Sequence, residues 1–313
     1  MKTPFLLPRT RPIVDTGCRR ECRIARCLLV LGALALVVAS GCALNPYRYA
    51  GRYFTACDPT LEPGESQIER GRKAPVIDTV GWIVGIPSKI LFLNHKVDNH
   101  NVSPETEECL EEYLAKNELD RVKVRINEYD PAGEWRRLKD NESISGPVRY
   151  TVGTLSVVGY TLFPGRIWGG DQYNPFTNTI NVYSDVPAMA LYEAGYAKDY
   201  AQREYKGLYA VCYIVPGVGL WQEHKASQDA LDYVQENGTA DDVRAGYRSI
   251  VPLFCYNAFA PFSINGVCLG FPALLGGHVA GQGEALFVKD ADYPLHAAAD
   301  SETVACAETI SLR

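Results

Sequence analysis

The chain has 313 residues, 47% of them hydrophobic and 22% charged, with a formal net charge of −6. That composition is globular, and the length suffices for one large domain or two small ones. The acidic balance and the lack of a basic patch or RNA-binding motif argue against a nucleic-acid partner.

The first 26 residues carry Arg9, Arg11, Arg19, Arg20, Arg23 and Arg26 against Asp15 and Glu21. Cys27 to Gly41 then runs without a charge, and Ala39-Ser40-Gly41 are small residues directly before Cys42. A basic region, a short apolar core and a small-residue cleavage site make a secretory signal. The apolar run is shorter than the ~20 residues that span a bilayer. The tetrad Ala39-Ser40-Gly41-Cys42 resembles the lipobox of bacterial lipoproteins, with Ala39 in place of the commoner Leu. The resemblance implies a diacylglyceryl group on Cys42 and removal of residues 1–41. An ordinary signal cut near Ala39, or an uncleaved anchor, is the alternative. Ala43 follows the cysteine where Asp would signal inner-membrane retention. The expected address is therefore the outer membrane, facing the periplasm.

Cys57, Cys109, Cys212, Cys255, Cys268 and Cys306 remain in the mature chain. An even number in an oxidising compartment makes disulfides an expectation, with the pairing unreadable. No C-x-x-C pair suggests a cysteine zinc site.

Residues 42–75, rich in Tyr, Arg, Pro and Gly, read as a tether. Residues 76–93 are apolar but broken by Gly81, Gly85 and Pro87; packing on the core and lying on a membrane are both open. Ser103-Pro104-Glu105 opens a helix with an N-cap, a first-turn Pro and an acid near the positive dipole end. It is expected to run to about Leu119. Val122 to Tyr129 alternates apolar and polar residues and predicts a strand. A short helix is expected at Trp135–Lys139. The Val, Thr and Tyr content of Arg149–Phe163 predicts one or two strands, and Thr179–Tyr183 another. Pro187 opens a helix with Ala190, Leu191, Ala194 and Ala197 on one stripe. Leu208–Gln222 is uncharged, and Trp221–Tyr233 predicts the next helix. Ser249–Gly283 is the longest charge-free stretch, read as a buried hairpin or a segment apposed to lipid.

The order of helices and strands, ending in a helix with Glu at its centre, points to an α+β fold. Tyr192-Glu193-Ala194-Gly195-Tyr196 resembles the H-E-x-x-H helix of gluzincin-type zinc metallopeptidases. In that motif two His four residues apart bind zinc and the Glu is general base. Glu193 matches the base, while Tyr192 and Tyr196 stand where both His belong. Glu223, on the following helix, matches the third ligand of such families. The resemblance covers roughly residues 103–236 and implies a zincin-like domain over 76–240, followed by an apolar region over 241–313.

The departures decide the expected chemistry. Tyr, with a pKa of about 10, must lose a proton before it ligates, and two of them in place of His weaken a zinc site greatly. Without zinc there is no polarised water for Glu193 to deprotonate. The expectation is a pseudo-peptidase with no cofactor, in which Glu193 is a relic base and Tyr192, Tyr196 and Glu223 are relic ligand positions. It would act through binding a peptide or envelope protein, or through envelope structure. A groove beside Thr179–Tyr183 is the expected peptide site, by strand addition. Two rival readings are a zinc-dependent hydrolase using Glu193 and Glu223, and a structural lipoprotein unrelated to zincins. The zincin reading requires the Glu193 helix to pack against the Glu223 helix, beside the Thr179–Tyr183 strand. Among the histidines, His95 and His100 sit in a polar loop, His224 neighbours Glu223, and His278 lies in a Gly-rich apolar run.

Overall fold

A computed structural model describes residues 47–51, 54–213, 215–259 and 270–293. The signal, Cys42, Cys268 and Cys306 lie outside the described residues. The architecture is mixed α+β around a small mixed sheet. The strands are β1 (Ile68–Arg70), β2 (Lys123–Ile126), β3 (Gln172–Asn174) and β4 (Thr179–Val182). Their spatial order is β1-β2-β4-β3, with β1, β2 and β4 parallel and β3 antiparallel to β4. Between β1 and β2 run α1 (Pro75–Val84), α2 (Ile86–Leu91) and α3 (Pro104–Lys116). Part of the stretch read as a tether thus belongs to the fold: it supplies β1, and Tyr47 is buried in the core.

β2 is buried at every position, including Lys123 and Arg125. Val124 and Ile126 meet the hydrophobic core. The polar side chains on the other face need partners, because a buried unpaired charge is costly. Lys123 finds Glu65 at 3.1 Å and Glu69 at 2.8 Å, and Arg125 pairs with Asp130 and Glu134. The alternating pattern therefore marks an interior strand whose polar side is held by ion pairs.

Helix α4 (Pro131–Asp140) follows, capped by Asp130, whose Oδ1 accepts from the Gly133 amide at 2.9 Å. The segment Arg149–Phe163 then departs from expectation. It is helical, a π-type turn at Arg149–Gly153 leading into α5 (Thr154–Leu162). Strand propensity largely reflects packing context, and here the context is α4. A Cβ on Gly153 would lie 2.8 Å from Leu138 Cδ1, so the glycine is what lets this turn approach α4. A short α6 (Gly165–Trp168) leads into β3.

The central element is α7 (Pro187–Ala201), in which Ala188 to Ala201 are all buried. A helix covered on all sides needs no polar face, and alanines and glycine let its neighbours come close. It packs on α3, on α9 (Pro216–Asn237), on α10 (Ala240–Phe259), and on β3 and β4. α8 (Lys206–Cys212) connects α7 to α9. Asp185, just before α7, gathers the Ser103 amide, Ser103 Oγ and Thr106 Oγ1 on one carboxylate oxygen. The α3 N-terminus is thereby tied to the start of α7.

The described residues of the charge-free C-terminal stretch lie in α10 and in α11 (Gly270–Phe287), which pack on each other. Gly277 and Gly281 seat α11 against Pro252 and Tyr247, while Phe271, Leu275, Val279 and Leu286 face outward and exposed. Among the described residues, no helix is long and apolar enough to cross a membrane. α10 contributes Val243 and Ile250 to the same core as α7 and the sheet. Among the described residues Cys57, Cys109, Cys212 and Cys255 form no disulfide with one another.

Candidate functional site

Tyr192 and Tyr196 lie four residues apart on α7, so both side chains leave the same helical face. That face meets α9 where Gly195 sits against Ala226. A Cβ on Gly195 would lie 2.9 Å from the Ala226 carbonyl oxygen, which sets how closely the two helices pack. The approach brings Glu223 to the end of the Tyr192 phenol, beside which Tyr196 lies. Tyr192 Oη donates to Glu223 Oε2, and the Tyr192 and Tyr196 hydroxyls are 3.3 Å apart. Their rings pack edge to face with centroids 5.2 Å apart.

Two further residues complete the network. Tyr213 Oη donates to Glu223 Oε1 at 2.6 Å. Asn257 Nδ2, from α10, lies 3.2 Å from both Glu223 Oε2 and Tyr192 Oη. Glu223 is buried and accepts from three side chains. Glu193 points the other way, towards the sheet edge, where its Oε2 accepts from the Tyr173 amide at 2.7 Å. These groups line a cavity of ≈ 360 Å³, closed further by Asp171, Phe176 and Tyr200.

The electrostatics follow from burial. Burial first, then the negative charges of Glu223 and Glu193, hold the Tyr192 phenol well above its usual pKa. Burial, then Tyr192 and Glu223, does the same to Tyr196. Burial and nearby Asp171 push the Glu193 carboxyl well above the ordinary range. Asp171 itself is pushed up to about 6, by burial and then by Asp98. The Tyr192 and Tyr196 phenols therefore stay protonated at neutral pH and act as donors.

The zinc implied by the motif can be tested against these donors. Zinc wants neutral imidazole, thiolate or carboxylate. Here the one carboxylate at the ligand positions, Glu223, is engaged by Tyr192, Tyr213 and Asn257, and the two phenols are protonated. Among the described residues, no group of three or more His, Cys, Asp or Glu is placed to hold a metal ion. The residues present do not fit zinc.

The structure brings Tyr192, Tyr196, Glu193 and Glu223 together at one cavity, with α7 against α9 and beside the sheet. It does not bring the histidines there. His224 packs its ring on Phe254, His278 Nε2 lies 2.8 Å from the Leu91 carbonyl oxygen, and His95 is exposed. His100 is buried, its Nδ1 3.2 Å from Asn127 Oδ1. The expected strand-addition groove also moves. Thr179–Val182 is interior, between β2 and β3, so the sheet edge beside the cavity is β3. On that edge the Tyr173 amide already donates to Glu193. Tyr213 and Asn257 were missed by sequence reasoning; the signal was an amide in the charge-free stretch and a Tyr just ahead of Pro216. No family model matches the chain, and no curated protein or solved structure matches it either.

Proposed function

We propose that this protein is a lipid-anchored envelope protein, tethered through Cys42 at the outer membrane, with a zincin-like domain that binds rather than hydrolyses. The observation that carries the reading is the convergence of Tyr192, Tyr196 and Glu223 on one cavity, with Glu193 at the neighbouring sheet edge. These are the positions at which an H-E-x-x-H helix and a later Glu would place two ligands, a base and a third ligand. Here the ligand positions are satisfied by one another. Tyr192 takes the lone pair of Glu223 that a metal would need, and Glu193 is engaged by the Tyr173 amide. A cavity with these properties retains shape and polarity, the requirements for a binding pocket. Occupancy by strand addition alone is disfavoured, because the Tyr173 amide on β3 is already taken.

The test is metal content. Full-length protein in detergent is dialysed against zinc and then against metal-free buffer, and zinc is counted by mass spectrometry. The reading expects far less than one zinc per chain and no chelator-sensitive peptide hydrolysis. Stoichiometric zinc in the wild-type protein would sink it and favour the hydrolase.

A further inference from the structure

The cavity beside Tyr192 has a wall with one chemical bias. Five tyrosines line it, and each hydroxyl hydrogen is spent within the protein. Tyr173 donates to Asn178 Oδ1 at 2.9 Å, Tyr200 to Gln222 Oε1 at 3.3 Å, and Tyr213 to Glu223 Oε1 at 2.6 Å. Tyr192 donates to Glu223 Oε2, which leaves Tyr196 to donate to Tyr192 across 3.3 Å. A phenol that has given its hydrogen away keeps oxygen lone pairs and can only accept.

The charged groups lean the same way. Asp171, Glu193 and Glu223 all line the cavity, and among the described residues none that lines it is Lys, Arg or His. Asp171 Oδ1 accepts from the Tyr183 and Ser184 amides, while its enclosed Oδ2 has no partner. Acids crowded in a low-dielectric pocket without a cation raise one another's energy. A bound cation relieves that repulsion, and aromatic walls add attraction for a cation over their faces.

We propose that this cavity binds a primary ammonium group, carried by a lysine side chain or a free amine of similar size. A primary ammonium offers three N–H donors and no acceptor, which complements a wall of phenol and carboxylate oxygens. The volume, ≈ 360 Å³, is far larger than a bare metal ion needs and lies in the range of small-molecule sites. A quaternary ammonium carries charge but no N–H donor, so it satisfies only half of the match. The inference rests on the metal-free reading of the same site, and names what that site holds.

The experiment is calorimetric titration of full-length protein in detergent, its zinc content measured on the same sample. The probes are Nα-acetyl-lysine amide, cadaverine, the trimethyl-lysine analogue, and Nα-acetyl-norleucine amide as the neutral apolar control. Both primary amines should bind at least tenfold more tightly than the trimethylated and neutral probes. Preference between the two primary amines distinguishes a peptide source from a free amine. Glu223→Gln should weaken binding at least tenfold in a protein shown by circular dichroism to be folded. Tyr213→Phe is the second variant: its ring is half-exposed, so folding is little threatened, and it frees Glu223 Oε1. It should tighten ammonium binding severalfold, an effect that a purely structural role for Tyr213 would not produce. Equal binding of norleucine or trimethyl-lysine, no heat with any probe, or weaker binding by Tyr213→Phe would each overturn the proposal. Zinc-free protein that ignores amines sinks this inference alone, whereas stoichiometric zinc sinks the binding reading beneath it.

Discussion

Placing histidines at both positions, Tyr192→His with Tyr196→His, should convert the cavity into a zinc site, and the size of the effect can be worked from the geometry. The Tyr192 and Tyr196 hydroxyl oxygens stand 3.3 Å apart. An imidazole is roughly 2 Å shorter than a phenol, about one Zn–N bond. Each Tyr therefore reaches as far as a His with a metal on its end, and zinc would occupy the space the hydroxyls leave. Glu223, released from Tyr192, would supply the third ligand, giving a His₂Glu set with an open fourth position. Without metal, each replacement should cost on the order of 1–3 kcal/mol through lost packing and the lost bond to Glu223. With free zinc a thousandfold above its Kd, linkage returns about 4 kcal/mol. In a domain of this size 1 kcal/mol moves the midpoint by about 2–4 °C, so zinc should raise the variant's Tm by about 8–16 °C. The assay is thermal unfolding by circular dichroism with zinc or with chelator, on variant and wild type together. A folded variant whose Tm ignores zinc would refute the equivalence of these positions to metal ligands. A comparable zinc shift in the wild type would refute it from the other side.

Two other outcomes follow from the same packing. Gly195→Val places a branched side chain where even a Cβ lies 2.9 Å from a backbone oxygen; α7 and α9 must separate, at a cost of about 1–3 kcal/mol, read as a lower urea midpoint at unchanged slope. A midpoint equal to wild type would show that α9 yields freely. Asp171 has its pKa raised from 3.8 to about 6, so between those values the folded state keeps a proton that the unfolded state has lost. Stability from this group therefore falls as pH rises from about 4 to about 6, by at most about 3 kcal/mol. Asp171→Asn keeps an acceptor for the Tyr183 and Ser184 amides and should flatten that slope in urea titrations at the two pH values. An unchanged slope would remove Asp171 from the account.

The local elements that announce themselves by rigid chemistry were legible. Ser103-Pro104 caps α3, its Oγ accepting from the Thr106 amide at 3.4 Å. Pro187 starts α7, and the i, i+4 spacing of Tyr192 and Tyr196 placed both on one face before any contact was visible. The convergence with Glu223 was legible as a requirement, since it followed only if α7 met α9. What stayed hidden depends on tertiary partners. Arg149–Phe163 carries strand-forming residues but becomes helical against α4, because Gly153 permits contact with Leu138 and Phe176. β3 is three residues long, too short to declare a period, yet its presence moves Thr179–Val182 to the interior of the sheet. Tyr213 and Asn257 reach the site from two further elements, and no spacing rule links either to Glu193.

The hydrogen bonds of Tyr192 and Tyr213 also explain how Glu223 can stay buried without a metal ion. A buried carboxylate such as Glu223 costs several kcal/mol unless donors or a cation compensate it. A metal would be the cation in a zinc enzyme. Here Tyr192, Tyr213 and Asn257 converge on that carboxylate, and hydrogen bonds to a charged acceptor each contribute about 1.5–3 kcal/mol. The same bonds take up phenol hydrogens of the cavity wall. Stabilising the metal-free fold and leaving an acceptor-rich wall are thus one physical event. A change that gave Glu223 a different counter-ion would loosen the tyrosines, and the selectivity of the pocket would go with them.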